Sequence, residues 1–100
     1  MLSHSVFFTL RDRTDAARRA LVEGCHKHLT GHAGTAAFFV GTVADYDRQV
    51  NDRDFDVALH IVFESRAAHD AYQSAPRHDT FIAENATTWA KVRVFDADLA

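Results

Sequence analysis

The chain has 100 residues, 47% of them hydrophobic, with eight Phe and 25% charged. That length and apolar share fit one domain with a core of its own. The formal net charge is −3, and Lys and Arg are scattered apart from Arg18-Arg19, so neither a nucleic acid nor an acidic membrane surface is an expected partner.

In chain order, His4 to Leu10 is rich in Val, Phe and Thr and reads as a strand. Thr14 or Asp15 can cap a helix running to about Leu29, because Ala17, Leu21, Cys25 and either His28 or Leu29 recur at helical spacing. Gly31 and Gly34 end it. Thr35 to Ala44 alternates as a second strand. Asp45 to Asp54 is polar and aperiodic, hence a loop. Phe55 to Glu64 is the third strand. Ser65 caps a short helix through about Ser74. Pro76 suits the first turn of another helical piece carrying Phe81 and Ile82. Thr88 to Asp96 is the last strand.

The order β-α-β-β-α-β, with the second helix broken in two, predicts an α+β ferredoxin-like protomer: one antiparallel sheet with its helices on one face. On the third strand Phe55, Val57, Leu59, Ile61 and Phe63 should lie under the helices. Asp56, Ala58, His60, Val62 and Glu64 should lie opposite. His4, Val6, Phe8 and Leu10 join the helix-facing set, as do Phe38 and Val40, and Val92, Val94 and Asp96. Phe7, Phe39 and Phe95 are left on the open face with Val62. A patch of that kind is seldom exposed on a monomer, and a two-fold homodimer packed sheet to sheet would cover it.

The lone Cys25 has no partner for an internal disulfide, which fits a reducing compartment. The first apolar run, Val6 to Leu10, is too short for a signal peptide. No stretch approaches the ~18 apolar residues of a membrane helix. A cytoplasmic location is the expectation.

The segment Phe63-Glu64-Ser65 through Tyr72-Gln73-Ser74-Ala75-Pro76-Arg77-His78 puts a phenol and an imidazole either side of a Pro, at the rim of whatever cavity the helix covers. His78 could be a general base for a bound carbonyl compound, since His titrates near neutral pH. On the residues alone, a buried ring that hydrogen-bonds strand backbone and fixes the helix break is the commoner case. Tyr72 could hydrogen-bond a substrate carbonyl or enolate, or be an aromatic core residue. His4 should point towards the helices, and Asp96 is a candidate to orient a His. Trp89 either walls a pocket or caps the core. Val6, Phe8, Leu21, Cys25, Phe38, Leu59 and Phe81 complete the expected pocket wall. Cys25 reads as a buried small hydrophobe, because no flanking motif lowers its pKa.

His26 and His28 are two apart on a helix and point different ways. His28 and His32 are four apart, but Gly31 ends the helix between them. No tetrahedral set converges there, so no metal is expected. No cofactor is implied. Asp45, Asp47, Asp52 and Asp54 lack calcium-loop spacing and read as a solvated connection. His60 belongs to the open face.

The opening His4-Ser-Val-Phe-Phe-Thr-Leu10, Val40-Gly41, Phe55-Asp56-Val57-Ala58-Leu59, the Tyr72 to His78 segment and the closing Val94-Phe95-Asp96 together resemble the stress-responsive dimeric α/β barrel (Dabb) family. The resemblance covers nearly the whole chain. It implies a ferredoxin-like protomer and a homodimer whose two sheets form a barrel. One plant member is a polyketide cyclase that closes a linear poly-β-keto chain by aldol condensation. Its Tyr and His match Tyr72 and His78, and its opening-strand His matches His4. The chain departs from the family pattern at Ala75, where a His before the Pro is frequent, and at Val57 and Cys25, where that cyclase has polar or aromatic pocket residues. Three functions follow as expectations: an enzyme or binding protein for a small, fairly apolar carbonyl compound, a noncatalytic dimer, or a cofactor-independent oxygenase. A cavity above ~300 Å³ beside both Tyr72 and His78 would favour the first.

Overall fold

The computed structural model describes residues 1–100. Four strands, β1 (Leu2–Leu10), β2 (Thr35–Thr42), β3 (Val57–Phe63) and β4 (Trp89–Asp98), alternate with α1 (Asp15–His28), α2 (Arg66–Gln73) and α3 (Pro76–Asn85). A 3₁₀ turn over Ala86–Thr88 joins α3 to β4. The sheet order is β2-β3-β1-β4, with every neighbouring pair antiparallel. This is the ferredoxin-like α+β arrangement that the element order predicts. No helix is long and apolar enough to cross a membrane.

Local chemistry sets the helix boundaries. Thr14, not Asp15, caps α1: its hydroxyl accepts from the Ala17 N–H at 3.2 Å. The Ser65 hydroxyl accepts from the Ala68 N–H at 3.1 Å and starts α2. These caps supply acceptors for N–H groups with no partner inside the helix. Pro76 takes the first position of α3, where the missing N–H costs nothing. The Arg77 guanidinium donates to the Thr30 and Lys27 carbonyls at 3.0 and 2.9 Å, tying the start of α3 to the end of α1. Gly34, at φ +82°, has no room for a side chain: a Cβ there would come within 2.4 Å of the Ala68 Cβ.

The core lies between the sheet and the helices. Phe63, Ile61 and Val57 of β3 are fully buried, with Leu21, Cys25 and Leu29 above them and Phe8, Leu10 and Phe81 alongside. Both alternatives for the end of the α1 stripe hold, since His28 and Leu29 are both buried.

Two expectations for the third strand are corrected. The strand begins at Val57, so its alternation does not extend back to Phe55. Phe55 instead packs against Phe7 of the open face, with ring centroids 5.1 Å apart. Asp56, expected on that open face, is 0% exposed. Its carboxylate accepts from the Leu10 N–H at 2.8 Å and from the guanidinium groups of Arg13 and Arg18. Burial opposes ionisation of Asp56, but these three donors outweigh it and hold the carboxyl below its ordinary pKa. The arginines thus draw Asp56 inward and turn Phe55 out.

The residues between β2 and β3 form no helix or strand, and their acidic groups are paired rather than merely solvated. Asp52 and Asp54 accept from Arg93 and Lys91 of β4 at 2.9 and 2.8 Å. The open face carries Phe39 and Phe95, which are 64% and 55% exposed, and Phe7, whose ring lies 5.8 Å from that of Phe95.

Candidate active site

A cavity of about 420 Å³ lies between the sheet and the helices, on the side of β1 and β4. β1 contributes His4, Val6 and Phe8, three alternate residues of its helix-facing side. β4 contributes Val92, Val94 and Asp96 by the same alternation, and Trp89 by a different device. The pairing of β4 with β1 shifts by one residue between Thr9 and Leu10. That bulge turns Trp89 onto the cavity side, where strict alternation would have placed Ala90. α2 and α3 supply His69, Tyr72, Gln73, His78, Phe81 and Ile82.

Tyr72 and His78 meet in this cavity edge to face, with ring centroids 4.9 Å apart. The break at Ser74–Pro76 achieves this. It ends α2 one residue after the sheet-facing Tyr72, then starts α3 so that His78 returns to the same space. Tyr72 is buried rather than at the rim, at 2% exposure, because Phe63 and the ring of His32 flank it. Burial pushes the Tyr72 phenol well above its ordinary pKa, so it stays a hydrogen-bond donor. Burial lowers the pKa of His78, so the imidazole is neutral at neutral pH.

His4 and Asp96 are cross-strand partners in the β1–β4 register. The His4 Nδ1–H donates to the Asp96 carboxylate. Burial lowers the His4 pKa, and the hydrogen bond to the Asp96 carboxylate offsets part of that shift. Trp89 has a buried indole N–H without a partner in the chain. A buried donor of this kind is costly unless satisfied.

Of the residues expected from sequence, the cavity brings together His4, Val6, Phe8, Leu59, Tyr72, His78, Phe81 and Trp89. It does not bring in Leu21, Cys25 or Phe38. Leu21 and Cys25 are buried in the solid core under α1, and Phe38 lies against the His26 ring. The sequence pattern tells which side of the sheet a residue faces, and α1 fills one end of that side completely. His26, His28 and His32 do not converge either. His28 donates to Glu84, and His32 donates to the His28 carbonyl. Sequence reasoning missed His69, although its spacing from Tyr72, three residues along one helix, was a usable signal.

The profile of the stress responsive A/B barrel domain matches residues 2–99. No curated protein matches the sequence. Solved structures share the fold at low identity. A Dabb family protein with a ferredoxin-like fold from Mesorhizobium loti is 19% identical, with a TM-score of 0.81 over 99% of this chain and 96% of that one. A dimeric ferredoxin-like protein of unknown function from Thermobifida fusca is 18% identical, with a TM-score of 0.80 over 98% and 90%. The hydroxynitrile lyase of Passiflora edulis is 19% identical, with a TM-score of 0.78 over 99% and 93%.

Proposed function

The chain belongs to the stress responsive A/B barrel domain (Dabb) family, and from that premise we propose that it binds a small, fairly apolar carbonyl compound in the helix–sheet cavity and removes a proton from the carbon beside the carbonyl. The observation that carries this reading is the cavity itself. At about 420 Å³ it falls within the ~300–1,000 Å³ range of small-molecule sites, and its wall holds Tyr72 and His78 in contact. A core filled throughout would have argued for packing alone.

In this reading the neutral His78 takes the proton as the C–H bond breaks. The electron pair moves onto the carbonyl oxygen. The Tyr72 O–H donates to the resulting enolate, and its elevated pKa keeps it protonated for that purpose. The Trp89 N–H and the His4–Asp96 pair are available to hold a second polar group of the ligand. Phe8, Phe81, Ile82 and Val92 accept an aryl or alkyl part. A cyclase that forms an aldol bond, or a lyase that breaks one, proceeds through such an enolate.

The reading includes a homodimer. Phe39 and Phe95 stand on a face that no helix covers, and the Thermobifida relative is dimeric.

The test is exchange of the α-proton. Ketones and β-keto esters that raise the melting temperature are incubated in D₂O with the protein, and deuterium uptake is followed by NMR. His78→Ala should slow exchange by about 10²–10⁴-fold, and Tyr72→Phe should slow it less while preserving packing. Unchanged exchange and binding in both variants would leave these residues a packing role only.

A further inference from the structure

We propose that His4, His69 and Asp96 form a binding site for a divalent first-row transition cation in the wall of the cavity. The three come from β1, α2 and β4, and their potential ligand atoms all lie within 4.8 Å of one another. No other group of His, Cys, Asp and Glu in the chain converges in this way. The spacing of these residues along the sequence hides the set, because only the sheet register and the seating of α2 bring them together. His4 and Asp96 are paired across strands, and the His69 ring lies 4.9 Å from the His4 ring.

The donor set selects the class of cation. Two imidazoles and one carboxylate suit zinc, ferrous iron or cobalt, whereas magnesium and calcium take oxygen ligands. Bonds of ~2.0–2.2 Å to nitrogen and oxygen require ligand atoms roughly 3.3 Å apart in a tetrahedral site. The present ligand atoms lie within 4.8 Å of one another, a span that side-chain rotation can close to that distance. The Asp96 side chain is 42% exposed, so it can turn about its hydrogen bond to His4 without meeting the core. The exposed carboxylate also gives the cation a way in. The cation takes the place of the proton that His4 and Asp96 share.

The surroundings of His69 also fit. The Asp70 carboxylate lies 3.1 Å from the His69 Nδ1, which donates to it. The His69 Nε2 accepts from the Gln73 amide at 3.4 Å, a long contact that a cation would displace, and a carboxylate behind the imidazole is the usual arrangement for a ligating His. Three protein ligands leave coordination positions open, and all three ligands line the cavity that holds Tyr72 and His78. If the carbonyl reading above holds, an open position offers a Lewis acid to the ligand's oxygen, with Tyr72 close by. The cation site does not depend on that reading, since binding is measured with metal alone.

Protein stripped with a chelator is titrated with cobalt(II), followed by its visible absorption, and with zinc(II), followed by calorimetry. One equivalent per chain is expected. His69→Ala should weaken binding by more than tenfold, Asp96→Asn should weaken it similarly, and Asp70→Asn should weaken it by about tenfold. His32→Ala should leave it unchanged. Melting temperatures of the metal-free variants establish that they fold, and His69→Ala, on a partly exposed helix face, decides the matter if Asp96→Asn does not. Binding that is absent, or that survives His69→Ala at full strength, overturns the proposal whether or not α-proton exchange occurs.

Discussion

The helix-facing side of the sheet has two halves that are built differently. Above β3 the surface is sealed: Val57, Ile61 and Phe63 are all 0% exposed beneath Leu21, Cys25 and Leu29. Above β4 it is not: Val92 and Val94 are 39% and 51% exposed and border the cavity. One long helix, α1, covers the first half. The second half falls to two short pieces, α2 and α3, separated by the break before Pro76, and neither extends over β4. The same break that brings His78 back to Tyr72 leaves the sheet surface uncovered. In this fold the site is a place where covering is incomplete, and polar rings occupy the gap.

The largest effect should come from the sealed half. Asp56→Ala removes the anion that Arg13, Arg18 and the Leu10 N–H all address. Breaking a buried pair costs ~3–5 kcal/mol, and the lower end applies because both arginines keep access to water. Denaturant unfolding should show a loss of ~3 kcal/mol, with cavity binding lost only through unfolding. The acid limb gives the same test. The folded Asp56 carboxyl titrates below its unfolded value. Its stabilisation is therefore complete above the unfolded value near ~3.9 and is lost as pH falls through the folded one. Asp56→Asn should abolish that part of the acid sensitivity.

The open face should give the next largest effect. Phe39 is 64% exposed in the protomer, so Phe39→Asp should fold and yet sediment as a monomer. Burying a large apolar side chain is worth ~1.5–3 kcal/mol, and a dimer that sets a charge there loses that at both copies. A wild-type protein that sediments as a monomer at micromolar concentration would remove the dimer from the account.

The sealed half was the more legible from sequence. Helical spacing on α1 and alternation on β3 identify Leu21, Cys25, Val57, Ile61 and Phe63 as inward-facing, because burial there follows local periodicity. Asp56 was misplaced because its position is decided by two arginines some 40 residues away in the chain. Tyr72 and His78 were legible through the Pro between them. His69 and the pairing of His4 with Asp96 were only partly so. Which inward residues line space rather than core depends on where the helices stop. That is a property of the assembled layers, and no strand or helix reveals it alone.

If α-proton exchange is observed, its pH profile sharpens the contrast again. Burial lowers the His78 pKa, so the neutral base should persist to below the ordinary value of ~6.5. The rate should fall about tenfold per pH unit only beneath that point, since a single proton then blocks the base. A profile that falls between pH 7 and 8 on acidification would assign the base to another group.

The finest contrast sets one small change in each half side by side. Cys25 is 0% exposed, and burial pushes its thiol up to about 12. The thiol should therefore label slowly with an alkylating reagent in the native protein, because the thiolate is the reactive form. Cys25→Ala deletes one heavy atom from a closed core, a change on the scale of Ile→Val, and should cost ~1 kcal/mol. Ile82→Ala deletes three carbons at the cavity, yet Ile82 is already 38% exposed and sits on a helix that favours Ala. Its stability should change by no more than ~0.5 kcal/mol. An apolar ligand that raises the melting temperature of the parent should bind Ile82→Ala several-fold more weakly and Cys25→Ala as before. The reverse pattern, with Cys25→Ala weakening the ligand and Ile82→Ala leaving it alone, would place the bound molecule under α1 and not in the gap beside β4.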